Sequence, residues 1–513
     1  MLPLVWAQEA NNADNIYVIK KINFNVTGRS KPFALMYHGE FIEGEQIKGK
    51  ANLEKYLAEK KQLIMNQLVI EEVNIECTYG ARDFDEAIPV YLVVHVKDSR
   101  NFIILPYPQF DSNNGFSITL KARDYNFLGT MSGLRIDLGY RQDNDDRIFN
   151  FMIDSDIPFR ALNLDWNFNF DHSLSYNLGE PLYYQNVTGL SVELPWKRTK
   201  FILGIDHYLT FNETISDADK DFYEIEEEYY RPYAAVQLYG AWKINTGIEV
   251  GKFGALHYTP RVSSTINYPY SKMEEPWKPV TTLSHSLSFG RTNWVINFRK
   301  GFSASLGNSF SFYLDRSDAP LLVKMYAETT YYRPFSRYFG FSSRLSYDQW
   351  WQWSERNNKW IPSYSAGSKL RGVLDKDLHA DLMLALNVDL PIRVLRFWPS
   401  EWFNTKKLEF FNIELFFSPF MDLALLKGPY NNLKKNAYEG TKFSYEDMVK
   451  AFGLEVIVYS GFFRSLRLRG SLGYNLNSAK DQCCLVHNLS GRNRRFGIIP
   501  QWNEIYIGLD LFY

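Results

Sequence analysis

The chain is poor in cysteine, with three in 513 residues. Cys77, Cys483 and Cys484 have no metal-ligand spacing. Adjacent Cys483 and Cys484 read either as an oxidised or free pair or as two unremarkable loop residues. No sign of charge dominates: 57 Lys+Arg stand against 58 Asp+Glu, a net charge of -1. With no long basic run either, nothing points to nucleic acid. No apolar run reaches the ~18 residues of a transmembrane helix. The mean hydropathy of -0.31 does not exclude a spanning barrel, whose alternating strands score poorly on hydropathy. The eight histidines are scattered. No Ser-His-acid or phosphate-loop pattern stands out, so neither an enzyme nor a cofactor is expected.

Aromatic side chains, by contrast, make up 17 % of the chain, the amount expected of a lipid-facing barrel with two aromatic girdles. The organising stretch runs from Ala366 to Lys427. Its first strand sets Leu382, Leu384, Leu386, Val388 and Leu390 on one face and His379, Asp381, Ala385, Asn387 and Asp389 on the other. Its second sets Ile413, Leu415, Phe417, Met421 and Leu423 against Asn412, Glu414, Ser418 and Asp422. Each strand therefore has one greasy and one polar side. Arg371 lies at a loop tip. If the polar side is the inside of a barrel, an inward loop brings the Arg371 guanidinium to the Asp422 carboxylate, with Gly372 allowing the close approach. The alternative is a solvated Arg371 and an ordinary lumen acid.

Residues 1-7 read as the tail of a secretory signal. Residues 15-100 read as a small α+β domain. Its first strand carries Ile16, Val18, Ile22, Phe24 and Val26, with a slip in alternation near Lys20 and Lys21. Helices around Phe33-Phe41 and Leu53-Ile64 follow, then strands through Val73-Tyr79 and Val90-Val96. Residues 101-513 are almost all alternating strand, including Phe116, Ile118 and Leu120, then Trp294, Ile296 and Phe298, and a last strand through Ile505, Ile507, Leu509, Leu511 and Tyr513. Polar faces of Asn, Ser, Arg, Asp and Gly suit a hydrated lumen, and short turns alternate with long polar loops. The fold class is mainly β: a transmembrane antiparallel β-barrel of about sixteen strands.

Several segments resemble the BamA/TamA superfamily of POTRA domain plus barrel. Leu370-Arg371-Gly372 resembles the tip of its inward sixth loop, with Val373 where an aromatic is usual. Phe420-Met421-Asp422-Leu423-Ala424 resembles its Phe-x-Asp-x-Gly strand, with Ala424 for Gly. Asp124-Tyr125-Asn126-Phe127-Leu128-Gly129 resembles the turn after its first barrel strand, and Asp389-Leu390-Pro391 the strand end after the inward loop. Phe512-Tyr513 resembles the aromatic insertion signal of outer-membrane barrels. The amino-terminal domain is similar to a POTRA domain. The resemblance implies a bacterial outer-membrane protein, its amino-terminal domain in the periplasm. It would insert or translocate polypeptides at a lateral seam between Phe116, Ile118 and Leu120 on the first barrel strand and Ile507, Gly508 and Leu509 on the last. Its partners would be the outer-membrane lipid bilayer, unfolded outer-membrane or secreted clients, and periplasmic or lipoprotein accessory subunits. The competing class is a passive outer-membrane channel or a surface adhesin.

Overall fold

The computed structural model describes the chain apart from residues 1-14, 83-86, 112-114, 144-145, 180, 197-198, 215-229, 268-278, 315-320, 354-363, 366-368, 373-378, 381, 428-447, 465, 477-503 and 509-513. Residues 1-7, read above as the tail of a signal, and Val373, Asp381, Cys483, Cys484, Leu509, Phe512 and Tyr513 lie outside the described residues.

The amino-terminal domain runs β1 (Ile16–Thr27), a helix (Pro32–His38), β2 (Gln46–Lys48), a second helix (Lys50–Met65), β3 (Ile70–Tyr79) and β4 (Ile88–Asp98). The sheet order is β2-β1-β4-β3, with β1 and β4 parallel. The slip read near Lys20 is a register shift between Ile19 and Lys21. It keeps Ile19 and Ile22 on the core side with Val90, Leu92 and Val94. Pro32 opens the first helix, where a missing N–H costs nothing. Leu53 and Ile64 turn the second helix onto the sheet. The three-residue strand β2 was not anticipated.

The remaining strands close on themselves. They are β5 (Phe102–Asp111), β6 (Gly115–Asp124), β7 (Leu134–Asp143), β8 (Asp146–Ala161), β9 (Leu164–Asn177), β10 (Tyr183–Trp196), β11 (Thr199–Thr214), β12 (Tyr230–Glu249), β13 (Ala255–Asn267), β14 (Val280–Val295), β15 (Phe298–Tyr313), β16 (Leu321–Pro334) and β17 (Gly340–Trp353). After a minor pair, β18 (Tyr364–Ser365) and β19 (His379–Ala380), come β20 (Leu382–Asp389), β21 (Ile392–Phe397), β22 (Ile413–Lys427), β23 (Val449–Ser460), β24 (Arg467–Asn475) and β25 (Glu504–Gly508). Both β20 and β21 pair with β22, so they form one stave interrupted at Pro391. Counted that way, the described residues form eighteen antiparallel staves, two more than the sequence suggested.

The outer surface is a continuous apolar band that includes Leu120, Leu138, Leu203, Leu238, Leu283, Leu306, Leu345, Met421 and Leu468, all exposed. A monomer in water does not carry so large a patch. Inside, β22 buries Glu414, Ser418 and Asp422, and β23 buries Glu455. Greasy outside and wet inside is the arrangement of a membrane-spanning barrel. No described helix is long and apolar enough to cross a membrane. Aromatic contacts lie at the end that carries the amino-terminal domain: Trp196, Phe201 and Trp242 stack, Phe289 and Phe302 meet at a tilt, and Phe397 meets Trp402 edge-on.

The domain is seated on the turns of that end. Gly129, at φ +75°, abuts Arg29 so closely that a Cβ would lie 2.0 Å from the Arg29 carbonyl oxygen. The Lys31 N–H donates to the Gly129 carbonyl at 2.8 Å. Buried Asn126 donates to Ser30 Oγ at 2.9 Å and Asp98 Oδ2 at 3.2 Å. Elsewhere on the rim the Tyr37 hydroxyl donates to Glu193 at 3.4 Å, and Arg464 Nη1 donates to the Ile70 carbonyl. Burial, with Glu193 beside it, pushes the Tyr37 hydroxyl up to about 12. Burial also holds the His38 imidazole below its ordinary value, against a hydrogen bond to the Thr130 backbone that raises it.

Candidate functional site

The connection between β17 and β20 is the seventh on the end away from the domain, not the sixth. Its tip, Leu370-Arg371-Gly372, lies inside the barrel wall, with Arg371 and Asp422 1 % and 0 % exposed. The Arg371 backbone N–H donates to Asp422 Oδ2 at 2.7 Å. Its Nε reaches the same oxygen at 3.0 Å, and Nη2 reaches Oδ1 at 2.7 Å. This is the two-pronged fork that only arginine offers a carboxylate.

The sequence reading paired Arg371 with Asp422 alone. The structure adds two acids: Nη1 lies 2.5 Å from Asp389 Oδ1 and 3.2 Å from Glu455 Oε1. Arg469 meets Glu455 from the other side at 3.2 Å. The seat therefore holds two guanidiniums among three buried carboxylates, the balance a dry site needs. Asp389 was read as polar-facing, and Glu455 carried its own signal: an acid on the even-spaced face shared by Ile457 and Tyr459. Only distance in sequence hid the connection.

The seat is shaped by glycines as well as by charge. Gly372, at φ +84°, lies against Gly473 of β24, where a Cβ on Gly473 would lie 2.4 Å from the Gly372 nitrogen. The Arg371 guanidinium stacks on Phe420 at 3.8 Å. That ring in turn occupies the space a Cβ on Gly453 would take, 2.3 Å away. Phe420, Asp422 and Ala424 all face inward and are buried. The strand motif thus supplies the stacking ring and the carboxylate, and Ala424 is accommodated. One residue before the tip, the Lys369 carbonyl accepts from Asn387 Nδ2 at 3.0 Å and Arg344 Nη2 at 3.3 Å.

The barrel closes elsewhere than the sequence suggested. The first stave is β5, and it meets the last, β25, through Tyr506↔Asp111 and Ile507↔Phe110. Phe116, Ile118 and Leu120 lie on the second stave, β6, between β5 and β7, and so are not at the seam. Pro106 and Pro108 broke the strand pattern of β5 and concealed it. Ile507 and Gly508 do lie on the closing stave. The Asp124 to Gly129 turn accordingly follows the second stave. Nor do Trp294, Ile296 and Phe298 alternate along one strand: Ile296 sits in a turn at φ +58°, and Phe298 is buried in the lumen.

No family model and no curated protein matches the chain. Among solved structures it is similar to CdiB from Escherichia coli at 13 % identity and a TM-score of 0.49, over 91 % of this chain and 73 % of that one. It is similar to CdiB from Acinetobacter baumannii at 12 % identity and 0.46, over 96 % and 74 %. It is similar to BamA from Haemophilus ducreyi lacking POTRA domains 1-3 at 13 % identity and 0.39, over 96 % and 84 %.

Proposed function

We propose that this is an outer-membrane factor that inserts or translocates polypeptides, admitting client strands at the seam between β5 and β25. The observation that carries the reading is a pair of prolines on the first stave, which meets the last through Tyr506↔Asp111 and Ile507↔Phe110. Pro106 and Pro108 pair regularly with Leu120 and Ile118. A proline has no N–H, and inside a ladder its nitrogen must point away from the paired neighbour. Both nitrogens therefore face the seam, which loses two donors. Other barrel prolines fall where one neighbour ends or its register slips, as Pro195 and Pro260 do.

An edge so depleted of donors still offers carbonyls, and an incoming strand completes them by β-augmentation. Strand pairing and apolar burial in lipid drive the step without a nucleotide. The amino-terminal domain acts as a POTRA domain in the periplasm, with β3, the edge strand of its sheet beyond the Arg464 contact at Ile70, offered to unfolded clients. The inward Arg371 loop locks the lumen, which disfavours a passive channel. A photo-crosslinking amino acid at Phe110 tests the reading. Outer-membrane or secreted precursors should be captured there and not from Leu238, on the far wall. Equal capture at both positions would remove the seam from the account.

A further inference from the structure

The hairpin of β14 and β15 bends where no lipid-facing strand needs to. Gly290 and Gly301 have φ +85° and +133°. They sit on opposite strands, two residues apart in register. A Cβ on Gly290 would lie 2.3 Å from the Phe302 oxygen, and one on Gly301 would lie 2.2 Å from the Arg291 oxygen. Only glycine fits at either point. Alternation along β15 would put Phe298 on the lipid side with Leu306 and Phe310. Beyond the bend it is instead buried, its ring 5.1 Å from Phe416 of the lumen wall.

The bent tip crosses the lumen. Asn297 Nδ2 donates to Glu414 Oε2 at 2.9 Å, on a wall five staves round from β14. The Arg467 guanidinium of β24 stacks on Trp294 at 4.2 Å, and Arg299 lies 4.8 Å from the same ring. Between the tip and the Arg371 seat remains a small cavity of about 70 Å³, lined by Trp294, Phe298, Arg371, Asp389, Ser418 and Glu455. The Arg371 loop tip and the hairpin tip thus face each other across this cavity, against the wall formed by β22 and β23.

The outer side of the tip is held by one stripe of the second helix of the amino-terminal domain. Glu59 pairs with Arg291 at 3.3 Å. Gln62 Nε2 donates to the Trp294 carbonyl at 3.2 Å. Asn66 accepts from the Trp294 N–H at 3.1 Å and donates to Asn293 Oδ1 at 2.9 Å. Spacings of three and four place these three side chains on one helix face.

We propose that the β14–β15 tip is an inner gate of the lumen and that this helix is its latch. While the domain is docked, the tip is held across the mouth; when the helix lifts, the tip pivots at Gly290 and Gly301 and the mouth opens. A client that draws the domain away from the rim thereby opens the lumen. The gate concerns the lumen and stands whether or not the seam admits clients.

The test labels a lumen thiol from the domain end. Ser418→Cys, buried at the cavity, is introduced into full-length protein whose three native cysteines are serine, and a hydrophilic maleimide is added. Adding Glu59→Ala, Gln62→Ala and Asn66→Ala should speed labelling by at least about tenfold, as a local opening made easier. An Asn66→Cys, Asn293→Cys disulfide in the otherwise intact latch should hold labelling at or below the slow rate, and reductant should relieve it. Heat-modifiable migration on gels confirms in each case that the barrel is folded. Equal labelling rates in folded latch-intact and latch-broken protein would overturn the gate. Fast labelling with the disulfide closed would do the same.

Discussion

Arg371 donates to Asp422 three times, once from its backbone amide at 2.7 Å and twice from its guanidinium, at 3.0 Å and 2.7 Å. A loop is thereby fixed to the wall by main chain and side chain through a single carboxylate. Breaking a buried pair strands a charge, which costs roughly 3–5 kcal/mol. Arg371→Ala and Asp422→Ala should each lower the unfolding temperature of the detergent-solubilised barrel. The double variant should be no worse than the more damaging single one, as for partners in one interaction. Additive losses in a thermal melt would mean that the two act separately.

Glu455 should respond differently. It is shared by Arg371 and Arg469, 3.2 Å from each. Glu455→Gln keeps the shape and removes one negative charge among two cations. It should destabilise less than Asp422→Asn, because Arg371 keeps its backbone and forked contacts. The comparison is made on the same melts.

Gly473 gives a steric test. Gly473→Val places a side chain where Gly372 now lies and should unseat the loop while leaving the staves closed. Limited proteolysis at the Leu370-Arg371-Gly372 tip should then be faster in the variant than in the parent. Gly470→Ala, on the same stave with open space around its Cβ, is the control.

These partners show what the sequence could yield. Alternation alone assigned the inward faces of β20 and β22, because one side of each strand is wet and the other meets hydrocarbon. The Arg371–Asp422 pair was legible because Leu370 to Gly372 and Phe420 to Ala424 resemble two motifs of one family; the polar face alone left a solvated arginine and an ordinary lumen acid equally open. Glu455 and Arg469 were not, since the register that sets β23 and β24 beside β22 and the loop tip is not written in the alternation of any one strand. Pro106 and Pro108 made β5 look unlike a strand, although proline is tolerated at an edge, and the edge is where β5 lies. The inward turn of Phe298 was hidden because Gly290 and Gly301 reverse its side, and a period of two carries no sign of a bend.

The prolines give a prediction opposite in sign to most substitutions. Pro106→Val with Pro108→Val restores two seam-facing donors. Stability should rise by about 1 kcal/mol per new hydrogen bond, and client assembly in cells should slow. Faster unfolding, or unchanged stability with unchanged assembly, would show that the prolines do not set the seam.

The most direct measurement closes the seam. Phe110 and Ile507 are register partners on the first and last staves, and facing strand residues lie within reach of a disulfide. Phe110→Cys with Ile507→Cys, in protein whose native cysteines are serine, is expressed in cells depleted of the wild-type chain. Oxidised, the variant should fail to support assembly or secretion of its clients, and reductant should restore them. Full client handling with the disulfide quantitatively formed would contradict entry at the seam.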